Sequence, residues 1–460
     1  MEPSILERAQ HPVSRRDIDP DVLKVLYRLI NAGYSAYLVG GGVRDLMTGR
    51  RPKDFDVATS AHPSQVRELF RNSRLIGRRF RLVHVFFGPR NIEVATFRRH
   101  SEETPESDDP LIRHDNTFGT PEEDAFRRDF TVNALFYDPR TFHVIDYVGG
   151  VDDLRGRLIR SVGEPEIRMR EDPVRMIRAV RFAAKLDFEI EPATRAAIEQ
   201  HCGDLAKASA PRLVEEIYRT LGFRNAARAL TLMTELGLLG VLLPGLWHHL
   251  RDYGDDWATS PTVRNLEALG RAANLGMEPS HPSILASLFA DLHLVNARRS
   301  SPSDRLSIVN DLRLRGFSRA DTEHMRLLLE SLPHLLTPSR LTRKLARRPY
   351  FAQAHRLFEL IAPTYGADPQ ALDRFLSEPA RPHPGARHGG AHAQAHGPGG
   401  EGGPPFRQRR RRRGGRRRRR HEGASATKPT PANHAHAGAA IDGGPGRDGC
   451  GGDGEGAGGT

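Results

Sequence analysis

The spacing of apolar residues changes along the chain, and the change falls near residue 150. Up to that point, short apolar runs alternate with segments of helical periodicity, which is typical of a mixed α/β domain. Helices are predicted over Val22–Leu29, from near Val43, over Pro63–Phe70 and over Asp129–Phe136. The predicted strands are the segments AYLV, DFDVAT, RLVHVFF, IEVATF and HVIDYV.

From Leu154 onward, apolar residues recur at helical spacing, and Pro and Gly separate the segments. Beyond Glu378 the composition shifts to Gly, His, Pro, Ala and Arg, which leaves too little apolar surface to offset the entropy of ordering the chain. The sequence therefore predicts five regions: a polar leader (1–20), an α/β head (21–150), an all-helical neck (151–210), an all-helical body (211–378) and a disordered tail (379–460).

The overall composition indicates a polyanionic partner. The chain has 460 residues and a formal net charge of +12, and a basic balance of this size favours nucleic acid. The two cysteines, Cys202 and Cys450, offer neither a disulfide framework nor a zinc site. No apolar stretch suits a signal peptide or a membrane span. We therefore expect a protein of the reducing cytoplasm with no membrane partner.

The candidate chemistry is concentrated in residues 38–59, LVGGGVRDLMTGRRPKDFDVAT. A predicted strand enters a glycine triplet and then a helix, so that backbone N–H groups face outward where an anion can bind. Asp54 and Asp56 are two residues apart on a predicted strand, which places both carboxylates on one face. Arg44 adds positive charge. A phosphate cradle beside an acid pair is the equipment of two-metal phosphoryl or nucleotidyl transfer.

Gly40-Gly41-Gly42-Val43-Arg44-Asp45 followed by Asp54-Phe55-Asp56 resembles the head motif of the class II nucleotidyltransferases, the family of bacterial poly(A) polymerases and tRNA CCA-adding enzymes. Three further motifs continue the resemblance. They are similar to the sugar-recognition motif (RRDFTVN, 127–133), the head-to-neck hinge (DYVGG, 146–150) and the base-recognition helix (EDPVRMIR, 171–178) of the family. The resemblance implies a nucleotidyltransferase head, a helical neck and body, and nucleotide transfer without a template.

The resemblance also implies roles for individual residues. Asp54 and Asp56 would hold two Mg²⁺ ions, with Asp129 counted beside them as the catalytic acid. Glu93 stands polar between apolar neighbours on the adjacent predicted strand and is the alternative third acid, whereas Asp129 has a second interpretation as a helix N-cap. The implied nucleotide contacts, with ATP as substrate, are Gly41, Gly42 and Arg44 for the triphosphate and Arg128 and Asn133 for the sugar.

The segment beginning at Glu171 allows two interpretations. Asp172 before Pro173 is a good helix cap on spacing alone. The resemblance instead implies that Asp172 and Arg175, which share a helix face with Arg178, read the base. A carboxylate accepts from the exocyclic amine of adenine or cytosine, while a guanidinium donates to the neighbouring ring nitrogen.

Two features bear on the product and the partner. The stretch LIGRRFRLVHV (75–85) matches the run that marks poly(A) polymerases within the family, so polyadenylation of RNA 3′ ends is the expected reaction. CCA addition to tRNA and a non-catalytic RNA-binding role remain the alternatives. Residues 401–460 hold 13 Lys and Arg against 6 Asp and Glu, and this tail is expected to bind RNA phosphates or, alternatively, to act as a solubilising segment. The resemblance adds RNA-decay proteins as expected partners, and the tail residues expected to contact RNA are Arg409, Arg410, Arg411, Arg416, Arg417 and Arg418.

Overall fold

The computed structural model describes residues 2–77, 82–99, 118–299 and 302–378. The tail arginines and residues 78–81 of the poly(A) polymerase-like stretch lie outside the described residues.

The first part of the described chain forms a mixed sheet with antiparallel neighbours except at one junction, where β3 and β6 are parallel. Across the sheet the order is β1-β8-β7-β2-β3-β6-β5-β4. In chain order these strands are β1 (Ser4–Leu6), β2 (Ala36–Val39), β3 (Asp56–Thr59), β4 (Ser73–Ile76), β5 (Leu82–Phe87), β6 (Arg90–Thr96), β7 (Leu135–Tyr137) and β8 (Val144–Asp146).

Short helices pack on this sheet, and the sequence explains where the first of them begins. Asp19 caps its N-terminus by accepting from the Asp21 amide at 2.8 Å, and Pro20 occupies the first turn. The buried side chains of this helix recur at three- and four-residue intervals and face the sheet. The helices of the head are α1 (Pro20–Asn31), α2 (Gly41–Met47), α3 (Pro63–Leu69), α4 (Pro121–Phe126) and α5 (Gly150–Gly156).

Three local predictions for the head were wrong. The helix predicted over Asp129–Phe136 is a single 3-10 turn (Thr131–Asn133) that leads into β7, because this aromatic and β-branched run suits a buried strand. The helix lies upstream, at α4, where Thr120 and Glu123 form a capping box. Asp54 precedes β3 instead of lying on it.

The third discrepancy concerns the N-terminal segment, which is more than a polar leader. Ser4–Leu6 pairs with β8 as the edge strand of the sheet, with Ile5 opposite Ile145. Val13 and Ile18 are almost completely buried. Residues of the leader therefore belong to the head.

Beyond the head the structure is helical apart from one short parallel pair, β9 (Leu158–Ile159) and β10 (Glu189–Ile190), which corrects the all-helical prediction for the neck. The run of helical spacing AARALTLMTELGLL (226–239) forms two helices, because Gly237, with φ 73°, caps the start of the second. The helices are α6 (Pro165–Glu171), α7 (Val174–Leu186), α8 (Pro192–His201), α9 (Ala210–Leu221), α10 (Ala226–Glu235), α11 (Leu238–Leu242), α12 (Pro244–Arg251), α13 (Pro261–Asn274), α14 (His281–Arg299), α15 (Pro302–Leu314), α16 (Arg319–Leu336), α17 (Arg340–Leu345), α18 (Phe351–Ile361) and α19 (Pro369–Ser377).

One apolar core extends from the head through the neck into the body. At the junction, Phe130 before β7 packs edge-on against Phe182 of α7, with 5.8 Å between ring centroids. Neck and head are therefore packed as one body around the candidate site. Among the helices of the described residues, none is both long enough and apolar enough to cross a lipid bilayer.

Candidate active site

The glycine turn after β2 requires glycine at its first position. Gly40 has φ 69° and ψ −136°, a conformation that L-residues rarely adopt. A Cβ there would lie 3.1 Å from Arg128 Nη1 and 3.8 Å from Asp56 Oδ2. At Gly42 a Cβ would lie 3.3 Å from the Phe55 ring. The absence of side chains at this turn therefore allows the acidic loop and Arg128 to approach the start of α2.

Three acidic residues, Asp54, Asp56 and Glu93, lie near this turn. Asp56 and Glu93 are register partners on the parallel strands β3 and β6, and Asp54 precedes Asp56 by two residues. All three residues are open to solvent. The protein atoms around Asp56, together with the nearby charges of Glu93 and Asp54, raise its pKa to about 6, although Arg128 acts in the opposite direction. Carboxylates that repel one another are suited to a divalent cation, which offsets the repulsion.

Arg44 is engaged inside the protein. Its side chain is 3% exposed and donates from Nη1 to Asn133 Oδ1 at 2.5 Å. Its Nε and Nη2 donate to Asp45 Oδ1 at 2.8 and 2.7 Å. The structure thus brings Arg44 and Asn133 together, and it ties α2 to the turn before β7.

Arg128 is held by a buried acid that sequence reasoning missed. Asp124 accepts from Arg128 Nη2 at 2.8 Å and from Arg127 Nε at 2.9 Å. Burial alone would raise the pKa of Asp124, but the charges and hydrogen bonds of Arg128 and Arg127 outweigh burial and hold it below its usual value. The spacing indicates this pairing, since an acid can pair with arginines three and four residues later along a helical turn.

Asp129 has an environment unlike that of Asp56. Its Oδ1 accepts from the Phe130 amide at 2.8 Å and from Asn133 Nδ2 at 3.1 Å, and its Oδ2 accepts from Arg178 Nε at 2.8 Å and from Arg178 Nη2. Burial opposes ionisation, but Arg178 first and then Asn133 outweigh it and lower the pKa to about 2. Both oxygens are therefore occupied by protein donors.

Arg178 continues the network into the body. Its Nη1 lies 3.4 Å from Glu216 Oε1, and Arg181 Nε donates to Glu216 Oε2 at 2.8 Å. Glu216 on α9 is buried, and it was also missed by sequence reasoning because its ion pairs join helices that are distant in sequence. Arg178 therefore connects the turn before β7 to the body.

Asp172 and Arg175 are each held by other residues. Arg212 forms a bidentate pair with Asp172, at 3.0 and 2.7 Å. Arg175 Nη1 donates to Glu171 Oε2 at 3.0 Å and to the Arg168 carbonyl at 2.8 Å. The side chains predicted to read the base thus lie at the start of α7, where Arg212 orients the carboxylate.

The comparisons with known proteins agree with this geometry. A family model described as the poly A polymerase head domain matches residues 36–160, and one described as the probable RNA- and SrmB-binding site of polymerase A matches residues 187–250. Poly(A) polymerase I of Salmonella typhi is 52% identical over 260 residues, which cover 55% of this chain and 56% of that protein. The CCA-adding enzyme of Geobacillus stearothermophilus is 42% identical over 230 residues, covering 49% and 55%. The chain thus spans little more than half the length of these curated relatives.

A solved structure resembles the chain over a greater length. The Bacillus stearothermophilus CCA-adding enzyme in complex with CTP has a TM-score of 0.60 and 31% identity, and the match covers 78% of this chain and 82% of that one. This fold is that of the class II nucleotidyltransferases. The chain belongs to the family of bacterial poly(A) polymerases and CCA-adding enzymes.

Proposed function

We propose that the protein adds AMP units from ATP to RNA 3′ ends without a template and releases pyrophosphate. The observation that carries this proposal is the cluster of Asp54, Asp56 and Glu93 beside the Gly40 turn. The 52% identity to a poly(A) polymerase, against 42% to a CCA-adding enzyme, favours ATP as the sole nucleotide.

The donor set fits divalent cations, and we assign Mg²⁺ to it because all the ligands are carboxylate oxygens. Two such ions, when bound, activate the attacking hydroxyl and stabilise charge on the transferred phosphate. Asp54 and Asp56 are the principal ligands in this proposal, and Glu93 is the third. Asp129, which the resemblance implied as the catalytic acid, instead acts as a positioning residue through Arg178 and Asn133.

The chain's other residues orient the nucleotide. Gly41 and Gly42 present backbone amides to the triphosphate. Arg128, held by Asp124, lies within reach of the same space, and Asn133 contacts the sugar. Arg44 contributes by fixing Asn133, because its guanidinium is buried against that residue.

Base choice is assigned to the start of α7. Asp172 keeps lone pairs free after binding Arg212, so it can accept from the exocyclic amine of adenine while Arg175 donates to the ring. Arg178, on the same helix face, supports the position of Asp172 and Arg175. RNA contacts are assigned to the segment 187–250 and to the basic tail.

CCA addition to tRNA is the second candidate, and the likeness to the CTP-bound structure favours it. Incubation of the purified protein and Mg²⁺ with labelled unstructured RNA, and separately with tRNA lacking CCA, distinguishes the two. A long ladder on the plain RNA with ATP alone supports polyadenylation. Addition of a few nucleotides that requires CTP and the tRNA identifies CCA synthesis, and no incorporation on either RNA contradicts both.

A further inference from the structure

A cavity of about 300 Å³ lies at the N-terminal segment of the head, away from the carboxylate cluster. Three arginines, one hydroxyl residue and two aromatic residues line it: Arg8, Ser14, Arg15, Arg16, Tyr137 and Phe142. The family models and the proposed function leave these residues without a role. The first four belong to the segment that its sequence alone marked as a polar leader.

The cavity is strongly cationic. Arg8, Arg15 and Arg16 are exposed, and in the described part of the chain none of the three forms an ion pair. Arg8 donates to the His11 carbonyl at 3.1 Å, and Arg15 donates to the Tyr27 hydroxyl at 2.9 Å. Uncharged acceptors thus bind the guanidiniums of Arg8 and Arg15, and no acid among the described residues pairs with either.

A buried donor accompanies the arginines. The Tyr137 side chain is fully buried, and its hydroxyl has no hydrogen-bond partner among the described residues. A buried hydroxyl without a partner is costly, so such a group indicates a missing acceptor. Tyr137 lines the same cavity as Arg8 and Arg15. Asp138, the acid next to Tyr137, is already paired with Arg140.

The backbone at Phe142, in the wall of the cavity, has an unusual conformation. Phe142 has φ 60°, which is rare for a residue other than glycine, and the Arg15 guanidinium lies 4.4 Å above its ring. Two hydrogen bonds hold this backbone. The Phe142 amide donates to the Asp138 backbone carbonyl at 2.9 Å, and His11 Nε2 lies 2.8 Å from the Phe142 carbonyl. A strained residue persists only where its surroundings fix it, and such residues concentrate at binding sites.

We propose that this cavity binds a phosphoryl group, which accepts hydrogen bonds from the arginines and from the Tyr137 hydroxyl. Guanidinium forks match the geometry of phosphate oxygens, and the neutral phenol adds a directional donor. The phosphoryl group comes either from a free phosphate or mononucleotide or from the backbone of bound RNA. Tyr137 ends β7, and the turn that contains Asn133 leads into the start of the same strand.

The test is calorimetric titration of the full chain in EDTA, which removes divalent ions from the carboxylate cluster. Three probes are titrated separately: inorganic phosphate, AMP and an oligoribonucleotide with a 3′-deoxy end. Arg16→Gln and Tyr137→Phe should each weaken binding about 10-fold for at least one probe, since a hydrogen bond to a charged group is lost. Arg67→Gln, which removes an exposed charge on α3, is the matched control and should bind as the wild type does.

The probe that responds identifies the source of the phosphoryl group. Weaker binding of inorganic phosphate or AMP by the variants indicates a free ligand, and weaker binding of the oligoribonucleotide alone indicates the RNA backbone. Equal binding of all three probes by the wild type, Arg16→Gln and Tyr137→Phe overturns the proposal. Thermal melting in the same buffer verifies that Tyr137→Phe stays folded. No step uses ATP transfer, so the outcome is independent of the proposed function.

Discussion

Two groups of acidic residues in the head have opposite electrostatic surroundings. Asp54, Asp56 and Glu93 are exposed residues, of which Asp56 and Glu93 are register partners, and the pKa of Asp56 is raised to about 6. Asp124 and Asp129 are enclosed by arginines, and the pKa of each is lowered. Exposed acids that repel one another are predicted to be available to a cation, whereas acids paired with arginines hold those side chains in position. From this comparison we predict a metal-binding role for the first group and a positioning role for the second, although the residues look alike in sequence.

The largest expected effect is on the open group. Asp54→Ala should reduce AMP incorporation by roughly 10³-fold or more, because a principal metal ligand is lost. Gel analysis of labelled RNA extended with ATP measures the change. Urea unfolding serves as the control. Because the substitution removes one of several charges that repel one another, it should not lower the free energy of unfolding. Activity near the wild-type level in a folded Asp54→Ala protein would contradict the metal assignment.

Substitution of an acid in the enclosed group should lower the free energy of unfolding. Asp129→Ala leaves Arg178 with only the more distant Glu216, and breaking a buried pair in this way should cost about 3 kcal/mol in the free energy of unfolding. Urea denaturation measures the loss, and Asp152→Ala, which removes an exposed acid paired with Arg155, is the matched control. Mn²⁺ binding should be retained by Asp129→Ala and lost by Glu93→Gln. The reverse result would restore Asp129 as the metal-binding acid.

The two groups should also differ in their response to acid. The pKa of Asp129 is near 2 in the folded protein and near 3.8 when unperturbed, so its pairing stabilises the fold above pH 4 by about 2 kcal/mol. This contribution is lost as pH falls from 4 toward 2. The unfolding free energies of the wild type and Asp129→Asn should therefore converge over that range. A constant difference between pH 5 and pH 2 would show that ionisation of Asp129 is irrelevant.

The smallest effect is expected on base choice. Arg212→Gln leaves Asp172 and Arg175 intact but removes the bidentate support of Asp172. We expect the preference for ATP over CTP to fall by about 10-fold, because a mispositioned acceptor forfeits one hydrogen bond to a charged group. Competition of the two nucleotides for incorporation measures the preference. Arg219→Gln on the same helix is the control. An equal preference for ATP over CTP in Arg212→Gln and Arg219→Gln would show that Arg212 does not contribute to base selection.

The sequence predicted the architecture well where patterns are local. The strand of Ala36–Val39, the glycine turn and the long amphipathic helix α7 follow directly from spacing and composition. It failed over Asp129–Phe136, where a run that suits a helix or a strand is decided by pairing with β2. Edge strand β1 was missed because three residues carry too little periodicity to identify a strand.

The site was predictable as a set of motifs but not as a network. Asp54, Asp56 and Glu93 could be proposed from alternation along predicted strands. The assignment of Asp129 to Arg178, however, depends on a contact between residues 49 positions apart. Likewise, Arg212 and Glu216 of α9 pair with Asp172 before α7 and with Arg181 on it, and no local spacing indicates which arginine a given acid will meet.

The shared packing of Phe130 and Phe182 has a consequence for synthesis on the ribosome. The head lacks one wall of its interior until α7 has been translated and has left the exit tunnel, so the nascent head must wait for a segment that lies beyond its own last strand. Translation stalled before residue 174 should therefore leave an exposed aromatic surface that chaperones bind. The head of this protein therefore completes its packing only together with a helix of the neck.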